Sequence, residues 1–465
     1  VENRLGTADR PARIAIVGAG PAGFYAAEAL LKQADLVCTI DFFNHLPTPF
    51  GLVRDGVAPD HQSIKAVTRI YEKIAENPRV RYYGNVTLGA DLSHADLKQY
   101  YDQIIYAVGA QTDRQMGIPG EDLHGSYPAT AFVGWYNGHP DYRNYRFDLS
   151  HPRVAVVGNG NVAMDVARIL VRSVDELAMT DMADHAIAAL RESAVREVVV
   201  LGRRGPAQAA FTNAEIKEFG ELTGVSVVVA PGDMELDEVS AASLQGNRIA
   251  INNVQILRGY AERPATSAPR RIVMRFLASS VELIGDNGRV TAVKIERNTL
   301  VPDGRGGLRA QGAGEFEMIE AGLVLRSVGY RGVALPGVPF DEKRFIIPND
   351  AGRVTDGPGG APIPGEYVVG WAKRGPSGVI GTNKPDSIAT VAAMIADLPT
   401  LPGIPDERRG PAAVEGLLKS RRLVYFTYQD WKKLDAMEIA RGVAAGRPRV
   451  KATSVAEMLE IVGKV

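Results

Sequence analysis

The chain has 465 residues and a formal net charge of −1, so no global field draws it to nucleic acid, and recognition of any charged partner must rest on local patches. That length holds two or three domains with a substantial core. A single cysteine, Cys38, excludes an internal disulfide, a dithiol redox pair and a protein-ligated iron–sulfur cluster; it reads as a small buried apolar residue. No stretch approaches the ~18 uninterrupted apolar residues of a membrane span. Val1 to Arg10 is polar and lacks a signal-peptide core; a disordered leader on a cytoplasmic protein is expected.

In chain order, Arg13 to Val17 is an apolar run that reads as a strand buried on both faces. It enters Gly18-Ala19-Gly20-Pro21-Ala22-Gly23, and Phe24 to Lys32 reads as a helix. This order gives each glycine a task. Gly18 makes the tight turn, Gly20 lets the backbone approach a pyrophosphate, and Gly23 lets the helix lie against the strand. The pyrophosphate then meets the positive end of the helix. The following strand, Leu36 to Asn44, ends where an acidic ribose ligand normally stands. Asn44 takes that place without charge assistance, and Asp41, alternating with Phe43, is the less favoured ligand. No basic residue stands there to meet a 2′-phosphate, which suits FAD better than NADP. A Pro-rich loop, a helix near Ser63 to Glu76 and a closing strand Ile104 to Ala110 complete this part.

A second strand, Val154 to Val157, enters Gly158-Asn159-Gly160-Asn161-Val162-Ala163, with a helix expected over Met164 to Arg172. After a helical excursion from Ser173 to Arg191, the strand Val195 to Leu201 ends in Gly202-Arg203-Arg204-Gly205. Two guanidinium forks at a strand end are what a 2′-phosphate needs, so NADP(H) is expected here. Val254 to Arg297 reads as strand-rich, and Leu323 to Gly329 as a second returning strand. A strand Glu366 to Trp371, a glycine loop at Gly375 to Gly381 and a helix Asp386 to Asp397 follow. A helix N-terminus beside Gly378 stabilises negative charge on a reduced flavin ring. The tail from Asp406 reads as helical, with Tyr428 and Trp431 as docking rather than catalytic residues. The expected fold is α/β: two Rossmann-like dinucleotide-binding domains, the NADP domain inserted into the FAD domain. The expected limits are a leader 1–10, a first FAD part 11–112, an NADP domain 113–335 and a second FAD part with tail 336–465.

On the residues alone, Asp60 reads as an N-cap that His61 merely follows. Glu215 stands at capping-box spacing from Thr212, with ribose binding as the alternative. Glu218 reads as an exposed helical carboxylate on the same face.

The string Leu46-Pro47-Thr48-Pro49-Phe50-Gly51-Leu52-Val53-Arg54-Asp55-Gly56-Val57-Ala58-Pro59-Asp60-His61 is more specific than any glycine fingerprint. With the second glycine loop, Gly202 to Gly205 and Trp371-Ala372-Lys373-Arg374-Gly375-Pro376, it closely resembles the adrenodoxin reductase family over almost the whole chain. Gly446 to Lys451 is similar to the branch of mycobacterial-type NADPH–ferredoxin reductases. The resemblance implies that Gly18, Gly20, Pro21, Ala22, Gly23, Asn44, Gly51, Leu52, Leu88, Trp371, Gly378, Val379 and Ile380 hold FAD. It implies that Arg114, Asn159, Gly160, Asn161, Val162, Arg203, Arg204 and Glu215 hold NADP(H). Asn44 departs from the family pattern, which has Glu there. The resemblance places His61 and Glu218 at the flavin–nicotinamide contact, positioning groups and managing protons. It implies hydride transfer from NADPH to the flavin and release of single electrons to an acidic iron–sulfur ferredoxin; beyond the ferredoxin, cytochrome monooxygenases and iron–sulfur assembly are the alternative acceptors. Arg54, Lys65, Arg69, Lys373 and Arg374 are then the expected docking cations, and no metal is expected.

Four rivals stand beside this reading. A flavin-dependent NADPH monooxygenase is faintly echoed by Phe132 to His139, but with the wrong spacing. A thioredoxin-reductase-like enzyme and a glutamate synthase small subunit both require cysteines that are missing. A non-catalytic NADP-sensing flavoprotein would keep the fold without turnover.

Overall fold

A computed structural model describes residues 4–264, 266–304 and 306–464. Two sheets organise it. The first has seven strands in the order Asn349–Asp350, Arg353–Thr355, Pro362–Val368, Gln103–Tyr106, Ala12–Val17, Cys38–Asn44, Val80–Gly84. Its last five strands run parallel, and the two at the other edge pair antiparallel. The second sheet has six parallel strands in the order Ser126–Pro128, Leu323–Arg326, Arg153–Val157, Glu197–Leu201, Arg270–Arg275, Val225–Val229. The chain leaves the first sheet and returns to it through linkers that pair with each other, Thr112–Asp113 with Tyr330–Arg331.

In each sheet a glycine loop leaves a central strand, Ala12–Val17 or Arg153–Val157, whose neighbours lie on both sides. That break in strand order opens a crevice at the carboxyl ends of the strands, where nucleotides bind. The strand Ala12–Val17 is buried at every position because helices cover both faces of a parallel sheet. The helix after it, Pro21–Leu31, starts with Pro in its first turn, where a missing N–H costs nothing. Cys38 is fully buried, and its burial pushes the thiol up to about 11.

Several expectations are corrected. Residues 4–10 are ordered: Leu5 is buried in the core of the first sheet, and Gly6 accepts a bond from the Val37 N–H. The expected leader Val1–Asn3 lies outside the described residues. Arg248–Ala261 is a helix, so the strand-rich stretch begins only at Arg270. Val254, Leu257 and Tyr260 recur at helical spacing and bury one face, which overrides their strand propensity. The helix expected at Ser63–Glu76 is two, Gln62–Lys65 and Thr68–Ala75.

The tail forms the helices Pro411–Ser420, Tyr428–Ala444 and Val455–Val462. Trp431 packs edge-on to Phe50 in the core of the first sheet, so Tyr428 and Trp431 dock the tail. Arg54 lies over the Trp431 ring and forms a bidentate, buried ion pair with Glu438. Among the described residues no helix is long and apolar enough to cross a membrane.

Candidate functional site

At the first loop, Gly18 has φ +102° and a Cβ there would sit 2.5 Å from the Ala107 carbonyl oxygen. A Cβ on Gly23 would meet the Gly18 carbonyl oxygen at 2.5 Å. Only glycine lets this strand–turn–helix close so tightly. A Cβ on Gly20 would meet nothing within 4 Å, which leaves open space over the helix N-terminus where a pyrophosphate belongs. The Leu46–Gly51 segment folds over this loop: the Phe50 N–H bonds to the Ala19 carbonyl, and Gly51 approaches Gly20.

Asn44 is part of that closure. Its Oδ1 accepts from the Ala19 N–H at 3.2 Å, and its Nδ2 donates to the Leu46 and Thr48 carbonyls at 3.0 Å. An amide makes both kinds of bond, whereas a carboxylate would leave the Thr48 carbonyl without a donor and the Leu46 carbonyl with only the Asn85 N–H and the Tyr82 hydroxyl. Asp41 is buried and held by Arg13, Arg81 and Tyr101, so it is no ribose ligand. The segment from Gly370 closes the same crevice. A Cβ on Gly370 would lie 2.6 Å from the Ala22 Cβ, and Ser387 donates to the Ala22 carbonyl. Trp371 donates to the Ser377 carbonyl and lies beside Tyr330 of the second linker. Gly378, Val379 and Ile380 precede the helix Asn383–Asp397, and Leu52 and Leu88 stand exposed and buried respectively.

The second loop repeats the design. Gly158 has φ +120°, and a Cβ there would lie 2.1 Å from the Ser327 carbonyl oxygen. Gly160 faces open space like Gly20. The Asn159 Nδ2 is buried without a hydrogen-bond partner, and Asn161 accepts from the Thr212 N–H at 2.9 Å. Arg203 is exposed and Arg204 half-buried at the neighbouring strand end, and neither forms an ion pair among the described residues. Burial and the adjacent Arg203 charge lower the Arg204 pKa, the condition of a cation pair lacking its counter-anion. The Arg114 backbone bonds to the Gly329 carbonyl, and its exposed side chain stands by that glycine.

Between the two sheets lies a charged cluster. His61 Nε2 is 2.9 Å from Glu218 Oε2, joining the first part of the chain to the helix Asn213–Phe219. Arg168, fully buried on the helix Asn161–Val171, holds the cluster together. It reaches Asp60 at 2.8 Å, Asp165 at 2.6 Å, Glu218 at 3.1 Å and Glu215 at 3.3 Å. Asp60 also pairs with Arg172. Burial favours the neutral acid at Asp60, but these guanidinium bonds prevail and hold it at about 2. Burial and the nearby Asp165 charge push Glu215 up to about 7, and burial also raises Asp165. His61 is raised despite burial because Glu218 accepts its hydrogen bond, and Glu218 is lowered by the same bond. His61 therefore stands beside a stable carboxylate, with two further acids able to share a proton.

This geometry revises the local readings. Asp60 is an ion-pair partner of Arg168, not an N-cap; His61 precedes the helix and makes no side-chain cap. Thr212 makes no side-chain cap, so Glu215 has no capping box and bonds to Arg168 instead. Arg54 and Lys65 are buried in ion pairs with Glu438 and Asp181, so they are not docking cations. Lys373 and Arg374 pair with Asp386, and Arg69 is exposed. Arg168 and Asp165 were missed. Their signal was a charged pair at i, i+3 in an otherwise apolar helix.

The pattern of the family described as pyridine nucleotide-disulphide oxidoreductase matches residues 12–204. The NADPH-ferredoxin reductase FprA of Mycobacterium tuberculosis is 48% identical over 464 residues, covering 97% of this chain and 99% of the relative. The mitochondrial NADPH:adrenodoxin oxidoreductase of Arabidopsis thaliana is 38% identical, covering 97% and 95%. The solved structure of Mycobacterium tuberculosis FprA in complex with NADPH superposes with a TM-score of 0.92 at 47% identity, covering 97% of this chain and all of that one. With two Rossmann-like domains, two glycine loops and an arginine pair at the second, the chain belongs to the family of the NADPH–ferredoxin reductases.

Proposed function

We propose that the chain is an NADPH–ferredoxin oxidoreductase that carries FAD in its first domain and NADP(H) in its second. The observation that carries this reading is the contrast between the two loops. Both offer a free helix N-terminus, but only the second adds a cation pair without a counter-ion, Arg203 and Arg204. The domain limits that go with it are 11–112 with 336–465 for FAD and 113–335 for NADP(H).

FAD, when bound, accepts two electrons from NADPH and passes them on singly, so one NADPH reduces two ferredoxins and releases one proton. The protein's own groups bind and orient. Gly20 and the helix behind it receive one pyrophosphate, and Gly160, Asn159 and the arginines hold the other nucleotide. Trp371 and the glycine segment after it close the crevice against water. His61 keeps its proton on Nε2 toward Glu218, while Arg168 fixes Glu218 from the other side. The pair thus holds a proton at a defined atom beside the junction of the two domains. A cytoplasmic site of action, and cytochrome monooxygenases as acceptors beyond the ferredoxin, complete the proposal. Arg69 is the exposed cation offered to the acidic partner.

The test is the double variant R203A/R204A, assayed anaerobically by flavin bleaching with NADPH and NADH. Losing two charge-assisted contacts of ~1.5–3 kcal/mol each lowers the preference for NADPH by 100-fold or more, as an order-of-magnitude estimate. An unchanged preference removes the 2′-phosphate assignment. NADPH oxidation that depends on an organic substrate and couples to oxygen insertion would favour the monooxygenase rival, and a flavin that NADPH does not bleach would favour the sensor.

A further inference from the structure

His45 directly follows the strand Cys38–Asn44 of the first sheet. His139 and Asp141 lie just past the helix Ala129–Asn137, which ends in a left-handed Gly138 beside the second sheet. The fold brings the three together. Asp141 Oδ2 lies 3.9 Å from His45 Nε2 and 3.9 Å from His139 Nδ1, and all three ligand atoms lie within 4.8 Å of one another. The two imidazole rings are 6.3 Å apart and tilted, leaving room between them. His139 Nδ1 accepts from the Asp141 N–H at 3.1 Å, so that nitrogen carries no proton and offers a lone pair. Tyr142 packs against the His139 ring and fixes its plane.

We propose that His45, His139 and Asp141 bind a divalent transition ion, zinc in the first instance, that clamps the two nucleotide domains together. Two imidazoles and one carboxylate suit zinc, nickel or copper; magnesium and calcium prefer all-oxygen shells. Metal–ligand bonds of about 2.0–2.1 Å in a tetrahedron separate ligand atoms by about 3.3 Å. The two 3.9 Å separations from Asp141 therefore need to shrink by about 0.6 Å, and that between the two histidines, within 4.8 Å, by up to about 1.5 Å, which rotations of the half-exposed His45 and the exposed Asp141 supply. Metal at His139 Nδ1 takes the place of the Asp141 N–H contact. Water completes the fourth position. The clamp pins the loop that follows Asn44 to the second domain, and so restrains movement between the domains.

The experiment titrates the holoprotein with zinc against a chromophoric chelator, and with cobalt read by its visible absorption. One equivalent of each ion is expected, with intense tetrahedral cobalt bands and a zinc-dependent rise in melting temperature. Outer-sphere changes around metal sites weaken binding by about 10–100-fold, so loss of a direct ligand in H45A or H139A is expected to weaken it by at least about 100-fold and abolish the thermal shift. Absence of saturable zinc binding overturns the proposal. So does binding that H45A and H139A both retain, which would assign the ion to the grouping of His61, Asp165 and Glu215.

Discussion

Arg168→Met keeps the length of the side chain and removes its charge. The guanidinium is fully buried and bonds to Asp60, Asp165, Glu215 and Glu218. Asp60 retains Arg172 at 2.8 Å and Glu218 retains His61 at 2.9 Å, so Glu215, and Asp165 with only the His61 ring at 3.7 Å, bear the loss. Removing one member of a buried ion pair costs about 3–5 kcal/mol while the remaining charge stays ionised. A carboxylate escapes that cost by taking up a proton, at about 1.4 kcal/mol for each pH unit above its ordinary pKa. Glu215 already titrates at about 7 in the wild type, so it is protonated in weak acid and adds little there. Asp165, also raised, dominates. A carboxylate whose folded pKa is raised favours the folded state below its unfolded value, and that contribution is lost as pH rises through the folded one. The variant raises both groups further, so its deficit grows with pH. Urea unfolding of the holoprotein is expected to show a loss of about 4 kcal/mol near pH 8.5, shrinking to about 2 kcal/mol near pH 5.5. A deficit under about 1 kcal/mol in alkali, or one larger in acid, would refute the buried-hub assignment.

Other expected outcomes follow from single contacts. E218Q removes the negative charge from the group that accepts the His61 hydrogen bond and raises the histidine, so its titration in the pH profile of flavin bleaching moves to lower pH; a stationary profile disconnects the pair from the reaction. Gly158→Ala drives a Cβ into the Ser327 carbonyl at φ +120°, so NADPH affinity collapses while flavin content stays; retained NADPH binding shows that the loop yields. Asn44→Ala strips partners from the Ala19 N–H and the Leu46 and Thr48 carbonyls. The Leu46 carbonyl keeps the Asn85 N–H and the Tyr82 hydroxyl, so the Ala19 N–H and the Thr48 carbonyl are the groups left unsatisfied; at ~1–3 kcal/mol for each, FAD dissociation measured by dialysis rises at least about tenfold, and unchanged retention means that the Phe50–Ala19 bond suffices. Glu438→Gln leaves the buried Arg54 with Asp55 at 3.7 Å in place of its bidentate partner, costing about 3 kcal/mol and exposing the tail helix Tyr428–Ala444 to limited proteolysis; a tail that stays protected counts against this tie.

Sequence by itself determined the local geometry of this protein. Each glycine loop needs residues without a Cβ where backbone meets backbone, as at Gly18 and Gly158, and that need is written in the chain at fixed spacing. The charge at a strand end is local in the same way, so Arg203-Arg204 against Asn44 separates the two nucleotide sites before any folding is considered. What only the tertiary structure decided depends on partners remote in sequence. Asp60 looked like a cap because its partner Arg168 is far along the chain, and Arg54 and Lys65 looked like surface cations until Glu438 and Asp181 were brought against them. Asn44 looked like a weakened ribose ligand until the backbone groups of Ala19, Leu46 and Thr48 were seen to claim its amide. A buried charge is tolerated only beside its opposite. The residue that supplies the opposite is set by how the two sheets and the tail pack, which no local pattern records.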